Sequence, residues 1–262
     1  MAEDILSRAE SLKIPGDKEA QDNILHEYLQ SGDVSGLKEL FQNRDAEVKA
    51  AIREYDPVLH VINEKPNKRR KGQSDYITNK LPIPYQRYIN EIATFFLLGK
   101  PIRWRNAIDN ESLDEAFKAF EKFLQKTRHQ VTTREAKRIA GSETEAAKVY
   151  HLYRDADNNP KVKAVVISYS KGYSLRPLFD KYGDMLAFAY GYTEEKADGK
   201  VVDNFIVHTD DKIYNFVDDE GWDVTVIPNP VGKILVIYYQ QPKEWDGVQP
   251  LIERIEKIKS AE

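Results

Sequence analysis

The sequence predicts an α+β chain: a helical layer first, then a mainly antiparallel, β-rich unit. Three observations carry this. Up to about residue 145, apolar residues recur at helical spacing. From about 146 the period shortens to two, in runs rich in Tyr, Val, Ile and Phe. Tight polar turns separate those runs, not the helix-length crossovers that a doubly wound parallel sheet requires.

Taken in order, residues 1–61 read as an N-terminal helical arm. Ile24, Leu25, Tyr28 and Leu29 make one apolar face, and Ser31-Gly32-Asp33 breaks it. Leu37, Leu40 and Phe41 make a second face. Val48, Ala51, Ile52 and Tyr55 make a third, with Asp45 placed to cap it. Charge is dense here, so a peripheral arm is as good a reading as core.

Residues 62–78 read as a basic, flexible linker. The stretch holds Pro66, Gly72 and five basic residues, Lys65, Lys68, Arg69, Arg70 and Lys71. A solvated loop is the plain interpretation, and a loop touching phosphates is the functional one. No aromatic residue lies within the basic run to stack on a single strand.

Residues 79–145 form the next helical part. Pro82 and Pro84 fix the backbone ahead of a helix, where a missing N–H costs little. Tyr85, Tyr88, Ile89, Ile92 and Phe96 share one helix face, and Phe95, Leu97 and Leu98 widen it, which predicts deep burial. Gly99 is placed as a left-handed cap and Pro101 as a stop. Ile102 and Trp104 alternate with Arg103 and Arg105 as a strand would. Ser112-Leu-Asp-Glu115 and Thr132-Thr-Arg-Glu135 are two capping boxes. Leu113, Ala116, Phe117, Phe120, Phe123 and Leu124 follow the first as a core-packing stripe. The second opens a shorter helix ending near Gly141.

Residues 146–246 are the β-rich part. Ala147–Tyr153 and Val162–Tyr169 flank Asp155-Ala-Asp157-Asn158-Asn159-Pro160 as a hairpin. Further strands are expected at Leu175–Asp180, Met185–Tyr192, Val201–His208, Lys212–Val217, Asp223–Ile227 and Ile234–Tyr239. Residues 247–262 close as an amphipathic helix with Val248, Leu251, Ile252, Ile255 and Ile258 on one side.

Composition narrows the function. The chain has 262 residues, 41% of them hydrophobic and 31% charged, the profile of a folded soluble domain. No apolar run reaches the ~20 residues of a membrane span, and the acidic start, MAEDILSRAE, lacks a signal core. There are no cysteines, so disulfides, thiolate metal sites and Cys nucleophiles are excluded. A net charge of −4 argues against gripping DNA by bulk phosphate neutralisation.

Two stretches together carry a resemblance. The first is Asn79-Lys-Leu-Pro, then Tyr88-Ile-Asn, then Phe95-Phe-Leu-Leu-Gly-Lys-Pro-Ile. The second is Asn229-Pro-Val-Gly-Lys-Ile-Leu-Val-Ile-Tyr-Tyr followed by Trp245-Asp-Gly-Val-Gln-Pro-Leu-Ile. In this order they resemble the portal proteins of tailed double-stranded-DNA bacteriophages, the siphophage-type family, over roughly residues 55 to 262. Leu235 stands where that family often has Pro, and Gln240-Gln241 replace its usual Asn pair. The resemblance implies a portal wing, a helical layer with a small SH3-like barrel, without stem, clip or crown. A truncated or interrupted gene is therefore expected.

The resemblance further implies a homo-oligomeric ring at one capsid vertex, a dodecamer when full length, with this fragment monomeric or weakly associated. Its implied partners are the terminase large subunit, scaffold, major capsid protein and head–tail connector. Double-stranded DNA would pass through the ring without tight binding, and no membrane is involved. The implied location is the virion, and the host cytoplasm during assembly.

No catalytic, cofactor-binding or metal residue is assigned. Nucleotide-binding, zincin and nucleophile-elbow motifs are absent from the sequence. The five histidines, His26, His60, His129, His151 and His208, show no ligand spacing. His208 with Asp210 and Asp211 could form a metal corner, and a hydrolase built on it is one alternative; a turn after a strand is the plainer reading. Asp155-x-Asp157-x-Asn159 begins like a calcium loop but lacks its Gly and closing Glu. The other alternative to a portal is a stand-alone interaction module that reuses the wing fold.

Overall fold

A computed structural model describes residues 18–66, 79–106, 111–196 and 199–260. In chain order these form α1 (Lys18–Ser31), α2 (Val34–Leu40), α3 (Asp45–Tyr55), a 3-10 turn (Pro57–Leu59), α4 (Val61–Glu64), α5 (Tyr85–Leu98), α6 (Glu111–Lys126) and α7 (His129–Glu143). Strands β1 (Glu145–Arg154), β2 (Pro160–Ile167), β3 (Tyr173–Phe179), β4 (Met185–Glu195), β5 (Val201–His208), β6 (Lys212–Asp218), β7 (Trp222–Pro228) and β8 (Val236–Gln240) follow, then α8 (Gln249–Lys259). The chain is α+β, with helices first and antiparallel pairing after, as the change of period requires. The elements gather into two compact units, each made of two separate stretches of chain.

The first unit joins the chain up to Arg44 with Gly172–Val236. Its sheet is an antiparallel meander in the order β3-β4-β5-β6-β7. β3 and β7 are its outer strands. Alternation sends Phe205 and Val207 of β5 and Tyr214 and Phe216 of β6 to one buried face, beside Ala187 and Ala189 of β4. Leu25 and Leu29 of α1, Val34 and Leu37 of α2, and Phe41 fill the other side of that core. These residues are core, not the surface of a peripheral arm. Gly32, at φ +71°, makes the turn between the helices, and the Asp33 carboxylate caps α2 by accepting from Gly36 N at 3.0 Å. The helices are tied to β3 where Gln42 N donates to Pro177 O (3.1 Å) and Arg176 Nη1 to Lys38 O (3.0 Å).

The second unit joins Asp45–Lys171 with the chain from Ile237 onward. Here β1 pairs with β2 as the expected hairpin, with Tyr150 opposite Ala164, and β8 lies on the other side of β1. Helix α7 packs on this sheet through Ala136, Ile139 and Ala140, against Ala146 and Val166.

Several local expectations are corrected in this unit. Residues 101–106 are irregular and make no strand; Trp104 instead sets its ring edge-on to Phe120 at 5.5 Å, and an extended segment without a ladder partner is not a strand. Thr132 does not cap α7. The helix starts a turn earlier, after Arg128 at φ +48°, and the Thr132 hydroxyl bonds back to His129 O at 3.1 Å. Ser112 lies inside α6, which begins at Glu111. Gly99 is right-handed, at φ −66°, so a left-handed cap is not its role; a Cβ there would stand 2.3 Å from Phe95 O. α7 runs through Gly141 to Glu143, close to its expected end.

The largest correction concerns which helix faces are buried. On α5 the residues at 0–2% exposure are Gln86, Asn90 and Thr94, while Tyr88, Ile92, Phe95 and Phe96 are exposed. On α8, Ile252 and Glu256 are buried, and Leu251, Ile255 and Ile258 are exposed. The α6 stripe is not core either: Leu113, Phe120 and Phe123 are partly open to solvent. Periodicity fixes that a helix has an apolar face; it does not fix which side its own domain uses.

Candidate functional site

The segment around Asn79–Gly99 is held by polar contacts, nearly all from its own buried side. Pro82 and Pro84 leave few backbone donors ahead of α5, and those of Leu81 and Ile83 find side-chain acceptors. Leu81 N donates to Ser260 Oγ at 2.9 Å and Ile83 N to Glu256 Oε1 at 2.7 Å. Lys80 Nζ reaches Asn63 O at 2.8 Å. The same Glu256 oxygen lies 2.6 Å from His60 Nδ1, with both side chains almost wholly buried. Gln86 Nε2 donates to Gln249 Oε1 at 2.9 Å. Helix α8 is thus clasped by the strap ahead of α5 and by the first turn of α5.

Deeper in the unit, α5 meets α7. Asn90 Nδ2 donates to Arg138 O at 2.8 Å, and Gly141 lies so close that a Cβ on it would stand 2.2 Å from Asn90 Oδ1. Arg134 closes the far end of α5 by donating from Nη2 to Leu98 O at 2.8 Å. Near the start of α8, Trp245 is fully buried and stacked on Tyr55 at 5.5 Å. Its indole N–H and the Lys243 ammonium both reach Glu54 Oε2, at 2.8 and 2.5 Å. Glu54 carries no sequence signal, because an acidic residue on the charged side of a helix is ordinary.

The second motif stretch works as a loop clamp in the first unit. The buried Asn229 points its amide nitrogen at Asp210 O (2.9 Å) and Lys233 O (2.7 Å), and its own N–H donates to Asp211 O (2.8 Å). Val231 N closes an Asx turn on Asn229 Oδ1 at 3.1 Å, and Gly232 supplies φ +67°.

That clamp explains the His208/Asp210/Asp211 corner. Asp211 Oδ1 lies 2.8 Å from the Thr209 hydroxyl, which holds the carboxyl below the usual range, helped by Lys212. Lys212 N donates to Thr209 Oγ1 at 3.0 Å. His208 is buried and stacks on Tyr190 at 5.8 Å. These groups are committed to a turn and a core, and among the described residues no three His, Asp or Glu side chains are grouped to hold a metal.

The Asp155 motif is a hairpin tip. Its carboxylate accepts from Asn159 N (2.8 Å) and Asp157 N (3.1 Å) and pairs with Lys161, and these hold its pKa low. The other expected basic side chains, Lys68, Arg69, Arg70 and Lys71, lie outside the described residues.

One buried cation stands apart. Lys148 on β1 has its ammonium 2.9 Å from Thr133 Oγ1 and within 6.0 Å of the Tyr150 and Tyr239 rings. Burial lowers its pKa to about 8. Burial and that charge together also lower His129. Nearby, Trp104, Leu124 and His129 line an open cavity of about 470 Å³.

The geometry is one of clasps and clamps, and both lie on the two motif stretches. Family comparison agrees: the family described as phage portal protein, SPP1 Gp6-like, matches residues 36–261. The chain belongs to the SPP1 Gp6-like phage portal protein family. No curated protein matches it. Portal proteins are structural components of the virion, and the match spans residues of both units described above. Among the described residues no helix is long and apolar enough to cross a membrane.

Proposed function

We propose that this chain is the wing part of a portal subunit, working in a homo-oligomeric ring at one capsid vertex. Such a ring would give DNA its way in during packaging and out during ejection, and would dock the terminase motor. The single supporting observation is that family membership extends over both motif stretches, which here build polar clasps. A net charge of −4 suits a lining that lets a polyanion slide past. A ring of this kind closes through heterologous contacts, one surface of each copy on a different surface of the next.

The test is negative-stain electron microscopy of the concentrated full chain, with and without a scaffold protein, beside a DNA gel shift. Single chains or weak assemblies alone, rings with a central hole once the scaffold protein is present, and weak, non-retained DNA are expected. Single chains at every concentration even with the scaffold present, or a tight salt-sensitive DNA complex, would overturn the proposal.

A further inference from the structure

Helix α5 is turned inside out relative to its sequence. Its polar stripe, Gln86, Asn90 and Thr94, is buried, and its outer face presents Tyr88 (66% exposed), Ile92 (50%), Phe95 (76%) and Phe96 (86%). With aromatic side chains offering about 150–250 Å² each, that face exposes roughly 500–600 Å², a large share of what one partner contributes to a standard interface. It stands at the upper end of the largest apolar patch usual on a monomer. The buried side is only partly satisfied, since Gln86 and Asn90 each donate one hydrogen bond there. Gln86 Oε1, Asn90 Oδ1 and Thr94 Oγ1 are buried without a hydrogen-bond partner among the described residues, a cost that turning the helix over would remove.

We infer that the outer face of α5 is the seat for a second copy of this chain. The inference rests on the ring reading above and names a surface for it. Duplex DNA does not fit the face: none of these four side chains is charged to meet its phosphates, and its bases are already stacked away from the rings. A second copy does, because the same unit also leaves Leu251 and Ile258 of α8 exposed at 59% and 51%. A heterologous contact joins two different surfaces of each chain, and α8 offers a second apolar one.

The test uses the full chain and two probes. Sedimentation of the wild type over a wide concentration range asks whether it self-associates. The Phe95→Glu/Phe96→Glu variant asks whether this face is responsible. Both side chains are solvated, so the variant should keep the wild-type melting curve while its association weakens at least tenfold. Because the chain has no cysteine, Phe96→Cys carrying a benzophenone gives a single-site crosslinker. Crosslinks to a second copy, outside α5 itself, support the inference. Self-association that the double variant leaves unchanged would sink this face and spare the ring. A wild type that stays monomeric at millimolar concentration, with a scaffold protein and without, would sink both.

Discussion

His60 Nδ1 and Glu256 Oε1 lie 2.6 Å apart although 196 residues separate them, and both side chains are buried. The same carboxylate oxygen accepts from Ile83 N. One side chain on the last helix therefore gathers a helix start near residue 60 and the strap ahead of α5. Buried pairs of this kind contribute little net stability over an apolar substitute, yet removing one partner is expensive.

Glu256→Ala should destabilise the second unit by about 3 kcal/mol, since it strands the His60 ring and the Ile83 amide. Glu256→Gln keeps an acceptor oxygen and should lose about 1 kcal/mol. Amide hydrogen exchange gives the local readout: protection at Leu81 and Ile83 should collapse in Glu256→Ala and largely survive in Glu256→Gln. Equal protection in both variants would mean that the carboxylate does not hold the strap.

Asn229→Ala should loosen the first unit by about 2 kcal/mol, the cost of leaving several buried loop carbonyls unpaired. Asn229→Asp should be worse, because it replaces the donor that faces Asp210 O and Lys233 O with an acceptor. Thermal unfolding of both variants checks the order. If Asn229→Asp is the milder change, the amide is not the clamp.

These two sites show what the sequence disclosed. The class, the hairpin around Asp155 and the strands from Leu175 onward follow from period and turn chemistry, which are local. Asn229 and the strap ahead of α5 were visible only as motif letters. Their function depends on partners far along the chain, such as Glu256 and the Asp210 carbonyl. Facing was illegible for a physical reason: an apolar stripe looks the same whether it seeks its own core or another chain. Phe96 and Leu37 carry the same signal, and one is 86% exposed while the other is fully buried.

Gly141→Ala separates helix propensity from packing. In an open helix, alanine gains roughly 1 kcal/mol over glycine. Here its Cβ would collide with Asn90, so a net loss of about 1–3 kcal/mol is expected from overpacking. Shortening Asn90 to Ser in the same chain should recover part of that loss, a coupling that a double-mutant cycle in urea would measure. Additive effects would place the strain elsewhere.

Lys148 gives a pH signature. Its folded pKa of about 8 lies below the ordinary value of 10.5, so the charged form is the one that burial penalises. Below pH 8 both folded and unfolded chains carry the proton and the full penalty stands, on the order of 2–3 kcal/mol. Between pH 8 and 10.5 the unfolded chain binds a proton that the folded chain has released, so stability rises with pH. Tyr150 and Tyr239 have pKa values raised by burial and stay neutral across most of that window. Lys148→Met removes the titrating group and fills a similar volume. It should therefore be the more stable protein at pH 7, with an advantage that shrinks steadily towards pH 10. Urea melts of both proteins at pH 7, 8, 9 and 10 decide it: parallel curves would show that the lysine is charged and well solvated in the fold, and that Thr133 and the two tyrosine rings do not enclose it.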